Sequence, residues 1–123
     1  CTLLVKLSTT KRSSFANQGQ ICLCGSRIFV ERPIYEKFRD AFVAQTKKMV
    51  VGHPLDEKAK LGAVVSKDHM EKVLSYVELA KEEGGTVLVG GKRVILDGEY
   101  ANGYYLEPTI IEGLPFNCRT NQE

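Results

Sequence analysis

A chain of 123 residues that is 43% hydrophobic and 26% charged has the make-up of an ordinary globular protein and room for one compact core. Its 17 Lys and Arg against 15 Asp and Glu leave a net charge of +2, too small and too evenly spread to predict a nucleic-acid or anionic-membrane partner. No apolar run approaches the roughly 20 residues that cross a bilayer, and Thr2 to Leu7, interrupted by Lys6, is too short for a signal-peptide core. A cytoplasmic protein is therefore expected.

The four cysteines, Cys1, Cys22, Cys24 and Cys118, form an irregular set in a chain that needs no covalent staples, which predicts free thiols rather than disulfides. A free thiol is a potential nucleophile.

In chain order, the apolar and β-branched run Ser26 to Val30 reads as a buried strand. From Ile34, the apolar residues Ile34, Phe38, Ala41, Phe42 and Met49 recur near helical spacing, predicting an amphipathic helix with Pro33 in its first turn and Gly52 and Pro54 at its close. A second helix is predicted to start at a Ser66 cap, with Asp68 at the positive end of the dipole. Its buried stripe is Met70, Val73, Leu74, Val77 and Ala80, and its stop is Gly84-Gly85. Thr86 to Val89 reads as another buried strand. The turn-rich Gly90 to Gly103 leads into a strand over Tyr104 to Ile111, where Pro108 suits an edge or a bulge. Strand, helix, helix, strand predicts an α/β layer fold with a partly parallel sheet.

The chemistry is concentrated in Phe15-Ala16-Asn17-Gln18-Gly19-Gln20-Ile21-Cys22-Leu23-Cys24-Gly25-Ser26, where a cysteine follows a glycine-punctuated polar turn and precedes a strand. A thiol at such a junction could attack a carbonyl carbon while backbone N–H groups hold the oxyanion. On local chemistry alone, a cysteine beside a strand is more often an inert buried hydrophobe. A Cys22-Cys24 redox pair is disfavoured, since one intervening residue strains a disulfide and the usual redox spacing is Cys-x-x-Cys. Metal binding is not predicted either: Cys1, Cys118, His53 and His69 supply no recognisable second half of a zinc site.

Phe-x-x-x-Gly-Gln-x-Cys resembles the cysteine signature of the aldehyde dehydrogenase superfamily, and the order of elements downstream resembles that family's catalytic domain from about Arg12 to Glu123. Within the family, the run from Phe15 through Ser26 into Arg27-Ile28-Phe29-Val30 looks most like the 2-aminomuconic semialdehyde dehydrogenase branch. The resemblance implies a mixed, largely parallel sheet flanked by helices, with residues 1–123 forming part of a catalytic domain. It also implies Cys22 as the nucleophile, with Ala16, Ile21 and Leu23 lining the aldehyde pocket. His69 and Lys72 would lie on the nicotinamide-side ribose of NAD or NADP, and an aldehyde and a homo-oligomeric assembly are the implied partners. Against each role stands a bland alternative, core packing for the first three residues and a solvated helix face for the last two.

The family's nucleotide-binding domain and its general-base Glu lie upstream of the cysteine and do not fit into the 21 residues before Cys22. The isolated chain is therefore expected to oxidise no aldehyde. A competing expectation is a binding or structural protein derived from a dehydrogenase segment. The helix that the family places before its signature falls here on Thr2-Leu3-Leu4-Val5-Lys6-Leu7-Ser8-Thr9-Thr10, whose β-branched residues argue against helix.

Overall fold

The computed structural model describes the backbone of residues 2–123 and the side chains from Lys6 onward, so the expectation of a free thiol at Cys1 lies outside the described residues. Four helices run α1 (Thr2–Phe15), α2 (Tyr35–Thr46), α3 (Lys67–Glu82) and α4 (Arg119–Gln122). Four strands run β1 (Thr86–Val89), β2 (Arg93–Val94), β3 (Tyr105–Leu106) and β4 (Ile110–Glu112). No helix among the described residues is long and apolar enough to cross a membrane.

α1 forms where propensity argued against it. Leu7, 1% exposed, packs in one cluster with Phe38 and Phe42 of α2, and Phe15, Val30, Ala41 and Ile110 close around them. Burying this face outweighs the few tenths of a kcal/mol that each β-branched residue costs in a helix. Thr10 satisfies its own hydroxyl by donating to Lys6 O at 2.8 Å.

α2 begins after a short 3-10 turn over Arg32–Ile34, with Pro33 inside that turn, and it ends at Thr46 rather than running on to Gly52. Met49 accordingly falls outside the helix. α3 matches its expected start and stop: Ser66 Oγ accepts from His69 N–H at 3.1 Å, and Gly84 takes a positive φ of 91° beyond the last turn. Met70, Val77 and Ala80 are its buried face, while Val73 and Leu74 are half-buried.

The α/β mixture is as expected, but strand pairing within the chain differs. β1 pairs antiparallel with β4 and β2 antiparallel with β3, in two separate two-stranded sheets, whereas the alternation of elements predicted a partly parallel sheet and the resemblance implied a mixed, largely parallel one. A parallel bridge joins Val51 to Leu61. The reason is the fate of Ser26 to Val30, which would have supplied a parallel neighbour: it forms no ladder with any described residue, and Phe29 is 84% exposed. The expected strand over Tyr104 to Ile111 divides into β3 and β4 around Pro108, which cannot donate to a ladder, and β1 carries a register shift between Val87 and Val89, opposite Ile111 and Ile110 of β4. β2 lies in what composition marked as pure turn. Tyr35 Oη donates to a Glu112 carboxylate oxygen, and Arg39 sits 3.6 Å from the same carboxylate, which fixes the start of α2 on β4.

Candidate active site

The cysteine loop is a closed hoop on the end of α1. Phe15 stacks on Phe42 with ring centroids 6.0 Å apart, anchoring the last turn. The chain then runs through three successive left-handed residues, Asn17 (φ 50°), Gln18 (φ 58°) and Gly19 (φ 74°). Glycine adopts this region freely and asparagine tolerates it, but for Gln18 it costs on the order of 1–2 kcal/mol. Hydrogen bonds offset the strain. Gln20 N–H donates to Asn17 O at 3.0 Å. The Gln18 side-chain amide, in the orientation that satisfies both neighbours, donates to Asn17 O at 2.8 Å and accepts from Gly62 N–H at 2.6 Å.

Ile21 to Cys24 form a turn closed by Cys24 N–H donating to Ile21 O at 2.9 Å. The exit is fastened back onto α1: Gly25 N–H donates to Ser13 O at 3.1 Å, and Ser14 Oγ donates to Gly25 O at 2.8 Å. Cys22 therefore sits at the apex of a turn tied at both ends, and its thiol is exposed. Cys24, half-buried, points its Sγ back toward Ala16 O at 3.8 Å, and Cys118 is buried. The three described thiols thus differ in access even though all are unpaired.

Ala16, Ile21, Cys22 and Leu23 share this loop. Ala16 is half-buried; Ile21 and Leu23 are 38% and 85% exposed, so neither packs the core. An apolar groove of about 390 Å³ opens beside the loop, lined by Phe15, Cys24, Gly25, Ile28, Val30 and Ile110 among others. It touches Cys24 and not Cys22, and its far wall is the core between α2 and β4, so it is a poor fit to a pocket for Cys22 chemistry.

His69 and Lys72 lie one turn apart near the start of α3, half-buried and exposed respectively. The Lys72 ammonium helps hold the Glu123 carboxylate below the usual carboxylate range, after the larger effects of hydrogen bonds from Arg119 and Tyr76. α3 and the cysteine loop are joined through the segment before α3: Gln20 Oε1 accepts from Val65 N–H at 3.0 Å, and Gln18 meets Gly62 as above. Sequence reasoning quoted both glutamines without giving either a role. Gln20 is a letter of the cysteine signature and Gln18 is not, but neither contact with the segment before α3 can be read from the sequence, because both are made to backbone groups more than forty residues away.

The aldehyde dehydrogenase family model matches residues 4–123, so the match begins ahead of Arg12 and takes in most of α1. The 2-aminomuconic semialdehyde dehydrogenases of Danio rerio and Mus musculus are 44% and 46% identical over 119 residues, which is 95% of this chain and 24% of theirs. Aldehyde dehydrogenase B of Escherichia coli is 44% identical over 107 residues, 87% of this chain and 21% of its own. Among solved structures, betaine aldehyde dehydrogenase from Staphylococcus aureus in complex with NAD+ superposes with a TM-score of 0.93 at 35% identity, covering 98% of this chain and 24% of that one. The chain spans about a quarter of the length of these relatives. With the family model covering nearly all of the chain and the left-handed hoop presenting Cys22 inside the signature, the chain belongs to the aldehyde dehydrogenase family.

Proposed function

We propose that these residues are the nucleophile-bearing part of the catalytic domain of an NAD-dependent aldehyde dehydrogenase. One observation carries the reading: in the signature Phe15 to Cys22, the thiol placed at the apex of the tied turn, and exposed there, is that of Cys22. Its thiolate adds to the aldehyde carbon, and a new S–C bond forms as the carbonyl oxygen takes the negative charge. The Cys22 N–H, which bonds no other described residue, is available to donate to that oxygen. NAD, when bound, supplies the acceptor for the hydride that leaves this carbon. Water then hydrolyses the thioester, releasing a carboxylate and returning the thiol.

Ile21 and Leu23, exposed on either side of Cys22, are available to contact the aldehyde's apolar part, with Ala16 behind them. His69 and Lys72 carry N–H donors suited to ribose hydroxyls, on a helix tied to the cysteine loop. A semialdehyde of the 2-aminomuconic type is the substrate that the two vertebrate relatives suggest. NADP remains the alternative dinucleotide, a homo-oligomer the working assembly and the reducing cytoplasm its setting. The chain by itself is proposed to be inactive, since the upstream base and nucleotide domain implied by the signature lie outside residues 1–123.

The test is NADH formation by the complete dehydrogenase containing this segment, with the parent sequence and with Cys22→Ser. Loss of turnover in Cys22→Ser together with a hydroxylamine-trapped acyl group on the parent enzyme is the expected result. Retained turnover in Cys22→Ser would overturn the assignment.

A further inference from the structure

Two side chains from the cysteine loop reach the same short segment ahead of α3. Gln18 meets the N–H of Gly62 at 2.6 Å, and Gln20 accepts from the N–H of Val65 at 3.0 Å. The two contacts lie on either side of Gly19 in the loop and three residues apart in the segment, so they resist rotation as well as translation of one against the other. Gln18 belongs to the left-handed run Asn17 to Gly19, and Gln20 follows it directly, ahead of the Ile21–Cys24 turn.

The fit around Gly62 is close: a Cβ there would come within 2.8 Å of the terminal atom of the Gln18 amide. That position therefore leaves room for the glutamine because it carries no side chain. Val65 is itself 78% exposed, so its N–H would otherwise face solvent, and its bond to Gln20 contributes orientation more than core stability.

We propose that Gln18 and Gln20 are positioning residues for the Cys22 thiol. By clasping the Gly62–Val65 backbone, they fix the apex of the cysteine turn relative to the first two turns of α3, where His69 and Lys72 lie. This inference rests on the reading of Cys22 as the nucleophile. Neither glutamine touches the reacting atoms; each acts through the backbone it holds. A turn that carries the nucleophile and is free to shift by about an ångström loses attack geometry far more than it loses binding.

The test uses the complete dehydrogenase with four variants. Gln20→Met keeps length and removes the acceptor; Gln20→Glu keeps an acceptor at the same reach; Gly62→Ala displaces the flexible end of Gln18 without altering it; Cys22→Ser is the reference for loss of the nucleophile. Gln20→Met and Gly62→Ala are expected to lower kcat by about tenfold to a hundredfold with the aldehyde KM within about twofold, and Gln20→Glu to recover most of the loss. Equal losses in Gln20→Met and Gln20→Glu, or parental kcat in both Gln20→Met and Gly62→Ala while Cys22→Ser is dead, would overturn the positioning role alone. An active Cys22→Ser would overturn the nucleophile reading and this inference with it.

Discussion

Glu83 holds Thr120 twice, accepting from its amide at 3.1 Å and from its hydroxyl at 2.5 Å, and takes the Arg119 N–H at 2.8 Å with its other oxygen. The residue just past the end of α3 thereby caps the first turn of α4, a helix of four residues that could not satisfy its own N-terminal donors. The hydrogen bonds from Thr120, with those from Arg119 and Cys118 behind them, keep the Glu83 carboxyl below its ordinary value of 4.5 against the opposing effect of burial.

A carboxyl whose pKa is lower in the folded than in the unfolded chain stabilises the fold above its unfolded pKa, and that stabilisation is lost as pH falls through the folded value. Glu123, lowered chiefly by Arg119 and then Tyr76, acts in the same sense. Thermal melts taken downward from pH 6 should show this acid limb in the parent and less of it in Glu83→Ala. Amide exchange at Arg119 and Thr120 should be faster in the variant at neutral pH. Identical acid limbs would mean that the cap is not formed in solution.

Leu7 joins α1 to α2 from a position 1% exposed. Leu7→Ala is expected to cost about 2–5 kcal/mol in urea unfolding, out of a typical total of about 5–15 kcal/mol. Because the cysteine hoop hangs from the end of α1, proteolysis between Ser13 and Gly25 should quicken in the same variant. A cost under about 0.5 kcal/mol, the size of a surface substitution, would show that α1 is not docked.

Thr46 is fully buried at the end of α2, and its hydroxyl has no hydrogen-bond partner among the described residues. Valine has nearly the same shape without the polar atom. Thr46→Val should therefore stabilise the chain by about 1–2 kcal/mol, read as a rise in urea midpoint at unchanged slope. A fall would reveal a partner for the hydroxyl.

The thiols should report the hoop directly. Cys22 is exposed, Cys24 half-buried and Cys118 buried, so iodoacetamide under native conditions should label them in that order, with the differences vanishing in denaturant. Peptide mass spectrometry of timed samples gives the three rates. Labelling of Cys118 ahead of Cys22 would be incompatible with this fold.

Local chemistry determined much of this protein from its sequence. The Ser66 cap, the Met70–Val77–Ala80 face, the Gly84 stop and the β1 strand were legible because each depends on groups within a few residues of one another. The cysteine signature was legible for the same reason, and it carried the family. The tertiary structure decided what depends on distant partners. α1 exists because Leu7 finds Phe38 and Phe42, which no helix propensity records. Ser26 to Val30 is apolar enough for a strand yet pairs with nothing described here, because a ladder needs a neighbour as well as a pattern. Gln18 and Gln20 of the loop, the second of them a letter of the signature, meet Gly62 and Val65 only once the chain has folded back on itself, since a hydrogen bond to a backbone N–H leaves no trace in the identity of the residue that donates it.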